Sequence, residues 1–418
     1  MRKTLICALV CALSLGLAAC GGSAPPGAVG SASRGQLSAG EPIKIGSLHP
    51  LSGSAAADGQ QMDNGARLAV EAINAAGGIA SLGGAKLELL GADTQGKPEI
   101  GQSEAQRLIS EGAVGLIGTY QSAVTANVAA VAERNKVPLV IDVSNADSIL
   151  QQGYRYAFRV QPNATVLGTH GARYLNEVSA AAGKPAKTVA IFHEHGPFGV
   201  AVRDAFTAEA QRLGIQVGPV ISYDPASVPD LTTQMTQVKA ADVDVLMVAG
   251  YHRDAVLVAQ AAQTVQPGVD AVFGVGNGGF DLPQFPADVG AAGNGFLNTN
   301  FHADMTNPRT RELAQLYRDR FGEEIRTAAV LAYDAVRVIA KALEEAGSAD
   351  PTALRDAIAK GEFETLVAAP GPISFLENGE NRNAVPILMQ VQDGEVKQVH
   401  PTSFEEAAPV YPATPAAR

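Results

Sequence analysis

Tryptophan is absent from the 418 residues, and the three cysteines, Cys7, Cys11 and Cys20, all fall within the first twenty positions. Beyond residue 20 the chain therefore has no disulfide, no thiolate metal site and no cysteine nucleophile. Basic residues are outnumbered, 31 against 42 acidic, giving a formal charge of −11 and a pI near 5.2. An acidic chain without a basic stripe argues against nucleic acid as a partner. After the first twenty residues no uncharged apolar run approaches the ~20 residues that a membrane span needs. Neither a G-x-S-x-G nucleophile elbow nor an H-E-x-x-H zinc motif occurs in the body; a Ser/His/Asp triad gathered from distant positions stays open. What is plentiful is apolar surface: 46% hydrophobic against 17% charged residues. That proportion can bury real cores, and the length exceeds one ordinary domain of ~100–200 residues, so two domains are expected.

The first residues read as an address. Arg2 and Lys3 precede an apolar stretch over 5–17 and the small pair Ala18 and Ala19. This is the three-part pattern of a secretory signal over residues 1–19. The step Leu17-Ala18-Ala19-Cys20-Gly21 resembles a bacterial lipobox, which implies cleavage before Cys20 and lipidation of that cysteine. Residues 21–42 hold six Gly, four Ser and three Pro with no apolar period. Residues 20–42 are accordingly expected to form a lipidated, flexible tether. The location implied is outside the cytoplasm, anchored to a membrane without spanning it.

From residue 43 short apolar runs alternate with amphipathic stretches. Strands are expected at 43–48, 86–90, 114–118 and 138–141, with helices between them. A second series begins after Asn163, with strands at 188–193, 215–223, 243–250 and 271–274. This alternation predicts an α/β fold with two parallel sheets, each flanked by helices. Helices are expected at 308–321, 328–346 and 351–360, short strands at 373–375, 387–391 and 396–399, and a frayed end from Ala407.

In open parallel sheets ligands bind beyond the carboxyl ends of the strands, so the loops after the strands are the candidate site. Asp58 lies at the first helix start, as a cap or as part of an anion site. Tyr120, Gln121 and Ser122 come after the third strand; Ser122 precedes a helix, where its hydroxyl and spare amides suit a carboxylate. Val143, Ser144 and Asn145 come after the fourth strand, in a loop that taken alone reads as a solvated turn. His193-Glu194-His195 has the wrong spacing for zinc and lacks a third ligand; Phe198 is the better candidate to face a ligand. Tyr251 stands where a ring would close over a cleft or simply pack. Residues 274–279 match G-x-G-x-x-G formally, but Pro283 interrupts the next turn. A hinge or ligand-lining loop with Asn277 as its polar group fits better than a dinucleotide site. No metal and no cofactor is expected.

One stretch is specific. Pro50-Leu51-Ser52-Gly53, with Gly65-Ala66-Arg67-Leu68-Ala69-Val70-Glu71-Ala72-Ile73-Asn74 after it, resembles the start of the leucine/isoleucine/valine-binding protein family, periplasmic receptors of branched-chain amino acid ABC transporters. The likeness continues through Gly118 and Ser122, Phe158-Arg159, Phe198-Gly199, Tyr333-Asp334-Ala335 and Gly371-Pro372, over roughly 43–400. It implies a two-lobed type I binding-protein fold with three crossovers, each lobe a mainly parallel sheet. The lobes would be 43–163 with 301–384, and 164–300 with 385–406, leaving a tail at 407–418. By the same resemblance Ser122 receives a ligand carboxylate, Val143, Ser144 and Asn145 add donors, and Phe198 and Tyr251 close from the second lobe. The family's acidic partner for the ligand ammonium is replaced near Gly276 or Asn277, and an aromatic is replaced near Asp58. Either Asp58 takes the ammonium or the ligand carries none. The implied function is a monomeric, non-enzymatic receptor that hands a small carboxylate-bearing ligand, an apolar amino acid first, to a permease with its ATPase. A sensor lipoprotein and a receptor for a non-amino-acid organic acid or amide are the alternatives.

Overall fold

The computed structural model describes residues 40–413. The expected signal, Cys20 and most of the expected tether lie outside the described residues. The first α/β series comprises β1 (Ile43–His49), α1 (Ala56–Ala75), β2 (Leu87–Asp93), α2 (Pro98–Ser110), β3 (Gly115–Gly118), α3 (Ser122–Asn135), β4 (Leu139–Ile141) and β5 (Ala157–Arg159). The five strands form one sheet in the order β2-β1-β3-β4-β5, and every pairing is parallel. Ile43, Ile45, Leu116 and Leu139 are fully buried, as strands covered by helices on both faces must be.

The second series comprises α4 (Ala164–Ala181), β6 (Thr188–Glu194), α5 (Pro197–Arg212), β7 (Gln216–Tyr223), α6 (Thr232–Ala241), β8 (Val245–Ala249), α7 (His252–Val265), β9 (Ala271–Val275), the short α8 (Phe285–Val289) and β10 (Leu297–Asn300). Then come α9 (Pro308–Phe321), α10 (Thr327–Ala346), α11 (Pro351–Lys360), the small pair β11 (Glu362–Phe363) and β12 (Ile373–Ser374), and finally β13 (Ile387–Gln392) and β14 (Glu395–His400). The second sheet runs β14-β13-β10-β9-β8-β6-β7. Its β6 to β10 portion is parallel, while β13 and β14 add antiparallel at one edge.

Three strands were not expected, among them the two-residue β11. β5 is only three residues long and rests on β4. β10 reads Leu-Asn-Thr-Asn, a polar sequence, yet all four residues are buried. Its two asparagines are held by hydrogen bonds to the neighbouring loop, so tertiary contacts override a turn-like composition. The expectation of a frayed end from Ala407 is corrected over 407–413. The Val410 amide donates to Gln390 Oε1 (2.8 Å), the Ala413 amide to the Asp270 carbonyl (2.7 Å), and Tyr411 is buried.

The C-terminal helix α10 returns to the first sheet. It packs on α1 and over β3 and β4, and its buried side includes Val330, Val336, Ile339 and Leu343. Gly65 makes the α1 contact close: a Cβ there would lie 2.1 Å from the Ala329 carbonyl oxygen. Alanine normally stabilises a helix interior over glycine by about 1 kcal/mol. Here the backbone of α10 blocks it, so Gly65→Ala should destabilise by about 1–3 kcal/mol. A lowered melting temperature is the expected outcome; an unchanged or raised one would mean the two helices part without cost.

Candidate functional site

The carboxyl ends of β1, β3 and β4 from the first sheet and of β6, β8 and β9 from the second meet at one cavity. It is the crevice that parallel sheets leave for ligands. Of the residues expected there, Asp58, Tyr120, Ser122, Val143, Ser144, Asn145, Phe198 and Tyr251 line it.

The first-sheet wall is built of donors. Ser122 opens α3, with Gln121 in the capping position before it, so Ser122 is one residue further into the helix than expected. The Val124 and Thr125 amides bond the Gln121 carbonyl, while the amides of Ser122 and Ala123 precede any acceptor within the helix. Ser122 Oγ accepts from the Ala146 amide at 3.2 Å, which leaves its proton to donate into the cavity. Ser144 is buried and its hydroxyl has no partner. A buried hydroxyl without a partner costs stability, and one that lines a cavity invites a ligand. Gln121 itself faces a neighbouring cavity of about 890 Å³, which shares Asp58, Ser122, Phe198 and Tyr251 with the first.

Aromatic rings close the opposite side. Tyr251 lies 5.6 Å from Tyr120 and 5.7 Å from Phe198 between centroids. These are ordinary separations for tilted aromatic pairs, and the Tyr120–Tyr251 contact joins elements of the two sheets. Burial pushes the Tyr120 phenol well above its usual range, and the nearby Asp58 carboxylate adds to the shift; Tyr120 is therefore a donor at neutral pH. Asp58 is already engaged: Arg326 Nη1 reaches it at 2.5 Å, and both residues are buried. Arg326 also faces His252 Nδ1 at 3.5 Å and, with the Gln284 amide oxygen turned toward it, Gln284 at 2.5 and 2.9 Å. One guanidinium thus gathers α1, α7 and the segment before α8.

Asn277 does not line the cavity. Its Oδ1 accepts from the Gly279 and Phe280 amides at 2.9 and 3.1 Å, which shapes the loop, while Gly276 and Gly278 present backbone to the space. The carboxylate there is Asp281, which sequence reading missed. It is buried, lines the cavity, and is held by Asn298 Nδ2 at 2.7 Å, Asn300 Nδ2 at 3.4 Å and His302 Nδ1 at 3.3 Å. No arginine or lysine pairs with it among the described residues. The buried asparagines of β10 were the available signal.

A sequence profile of periplasmic binding proteins matches residues 42–395. The chain belongs to the periplasmic binding protein family. The Leu/Ile/Val-binding protein homolog 8 of Brucella melitensis is 30% identical over 373 residues, covering 86% of this chain and 90% of that one. The leucine binding protein LivK of Thermotoga maritima has a similar structure, with a TM-score of 0.74 at 25% identity over 86% of this chain and 98% of that one. A solute binding protein of an R. palustris ABC transporter, solved with benzoate, shares the fold at a TM-score of 0.72 and 19% identity, over 90% and 98% of the two chains. The type I, two-lobed α/β fold expected from the sequence is thereby established.

In this periplasmic binding protein two further polar groups are structural. Ser47, His49 and Asp142 form a Ser–His–Asp string, with contacts of 3.1 and 2.8 Å. All three are at most 1% exposed and line neither cavity at the cleft, so the string ties β1 to the loop after β4. Glu194 accepts from the Gly196 and Gly199 amides at the start of α5. Among the described residues no helix is long and apolar enough to cross a membrane.

Asp254 caps α7 by accepting from the Tyr251 amide at 2.8 Å, and Tyr223 donates to the same oxygen at 3.2 Å. Its other oxygen has no partner. Burial pushes this carboxyl up to about 6, against the opposing pull of those two donors. A carboxyl raised in the folded state binds protons there more tightly than in the unfolded chain, so it favours folding below its ordinary range near 4, and that contribution is lost as pH rises through 6. The melting temperature of Asp254→Asn, measured against the parent, should gain on it as pH goes from 4 to 7. A difference that stays constant across that range would remove Asp254 from the pH dependence.

Proposed function

We propose that this protein is the extracytoplasmic receptor of an ABC importer, capturing a small carboxylate-bearing ligand between its two lobes and presenting it to a membrane permease. The lobes are those expected from the sequence, with the C-terminal helices assigned to the first and β13 and β14 to the second. The ligand proposed is an amino acid with an apolar side chain. One observation carries this reading. Ser122, whose hydroxyl accepts a bond and has no acceptor for its own proton among the described residues, and Ser144, whose hydroxyl has no partner, line the same cavity as Asp281, a carboxylate without an arginine or lysine partner.

The order of events is set by the walls. The carboxylate meets Ser122, Ser144 and the first amides of α3, where a helix start favours negative charge. The second lobe then turns inward by hinge motion. Tyr251 and Phe198 cover the apolar part, and Asp281 faces the ammonium. Asp58 is neutralised by Arg326 and serves closure instead. The relatives named for leucine, isoleucine and valine support the amino-acid class. The benzoate-bound neighbour, together with the amide donors already on Asp281, favours a second reading, in which the ligand is an organic acid without an ammonium.

Lipid anchoring at Cys20 and delivery to a permease complete the proposal. Retention of the full chain in the membrane fraction, lost on Cys20→Ala, tests the anchor. Ligand class is tested by calorimetry with L-leucine and 4-methylpentanoate, which differ only in the ammonium. Ser122→Ala should weaken whichever binds by about 1.5–3 kcal/mol; an unchanged dissociation constant would remove Ser122 from the site. Asp281→Asn should weaken L-leucine by a similar amount and spare 4-methylpentanoate. If 4-methylpentanoate alone binds the parent, the organic-acid reading replaces the amino-acid one.

A further inference from the structure

Arg159 is the largest fully buried side chain in the structure, 0% exposed, and lines neither cavity at the cleft. Its guanidinium lies behind the loop after β4. Nη1 donates to the Asn145 carbonyl at 2.9 Å and Nη2 to the Ala146 carbonyl at 2.8 Å, while Nε has no partner. Its one acidic neighbour in pairing range is Glu380, at 3.4 Å from Nη1. The Ser144 carbonyl is drawn back in the same way. Ser144 O accepts from Gln161 Nε2 at 2.7 Å, and Asn145 O also accepts from the Ala164 amide at 2.7 Å.

The peptide between residues 145 and 146 is therefore bonded at both ends. Its carbonyl, on Asn145, faces Arg159; its N–H, on Ala146, donates to Ser122 Oγ. A cation on the carbonyl polarises the peptide and strengthens the N–H as a donor, and that bond in turn polarises the Ser122 hydroxyl. Far from water such a chain is not screened as it would be at a surface.

We propose that Arg159 is a positioning residue for anion binding, holding the loop after β4 with its carbonyls turned away from the cleft and passing its positive charge through the 145–146 peptide to the Ser122 hydroxyl. The proposal rests on the reading of Ser122 as the carboxylate site. Glu380 sets how much of the charge is felt, because it partly offsets the guanidinium. The two residues thus make opposite predictions, which a purely structural role would not.

The relay is read first without ligand, in ¹⁵N-labelled protein. The Ala146 amide proton should move upfield in Arg159→Met and downfield in Glu380→Gln, as its hydrogen bond weakens or strengthens. Affinity is then measured for L-leucine and benzoate and for their amides, L-leucinamide and benzamide. Arg159→Met should weaken a bound acid about tenfold or more and its amide much less. Glu380→Gln should tighten the acid by roughly twofold to fivefold and leave the amide unchanged. If Arg159→Met does not fold, Glu380→Gln decides alone, since unfolding cannot tighten binding. A stationary Ala146 resonance in Glu380→Gln, or equal effects on acid and amide, would overturn the relay. Silence of all four probes in the parent would count against the function proposed above, and the Ala146 resonance would still decide the relay.

Discussion

All five strands of the first sheet run in one direction, as do β6 to β10 of the second. That shared direction constrains everything at the cleft. The strand ends that face it are carboxyl ends, and β1, β3, β6 and β8 give way there to a turn and a helix start, β4 and β9 to a loop. Helix starts present N–H groups, and short turns there present small hydroxyl and amide side chains. An anion is thus the species these walls are suited to hold before any side chain is chosen. Ser122 and Ser144 refine a preference that the topology already contains.

The two sheets use this constraint differently. On the first, carbonyls after β4 are turned back onto Arg159, Gln161 and α4, and the Val143, Ser144 and Ala146 amides are taken by Asp142, Thr119 and Ser122, so the hydroxyls of Ser122 and Ser144 are donors left on that wall. On the second, the parallel run ends in β10, whose asparagines hold Asp281 in place. A wall of donors faces a wall with a carboxylate, so the cavity is polar in one sense along its length. A ligand with charges at one end of an apolar body has a single favourable orientation in it. The rings of Tyr120, Tyr251 and Phe198 give the cavity an apolar lining, and polar contacts beside such a lining are screened less than in water.

Much of this was legible in the chain itself. Alternation of strand and helix is written in hydrophobic periodicity, and Gly77 and Gly78 mark where helix α1 stops. Ser122 could be nominated from its position between a strand and a helix, whereas Ser144 needed the family resemblance, since its loop alone reads as a solvated turn. Asp281 and β10 were not, for a shared reason. Buried polar side chains that satisfy one another look, in sequence, like a solvated loop, and their partners lie 17 to 21 residues apart. Asp58 was visible as a residue but not as half of an ion pair, since Arg326 is 268 positions away. Asn277 was assigned a ligand where the structure gives it the Gly279 and Phe280 amides.

The Asp58–Arg326 pair shows why such distant partners matter. Removing either member of a buried ion pair leaves a charge in a poor solvent, which costs several kcal/mol. Here the guanidinium also reaches Gln284 and His252, side chains carried by the second-sheet half. These contacts exist only while the halves are together. When the halves part, Arg326 keeps Asp58 but exchanges Gln284 and His252 for water. Hydrogen bonds traded for water are worth little net, so this cluster specifies how the halves meet without holding them shut. A receptor that must both close and release its ligand needs that balance. On the function proposed above, the larger driving force for closure is then left to the ligand and to the apolar contact of Tyr251 with Tyr120.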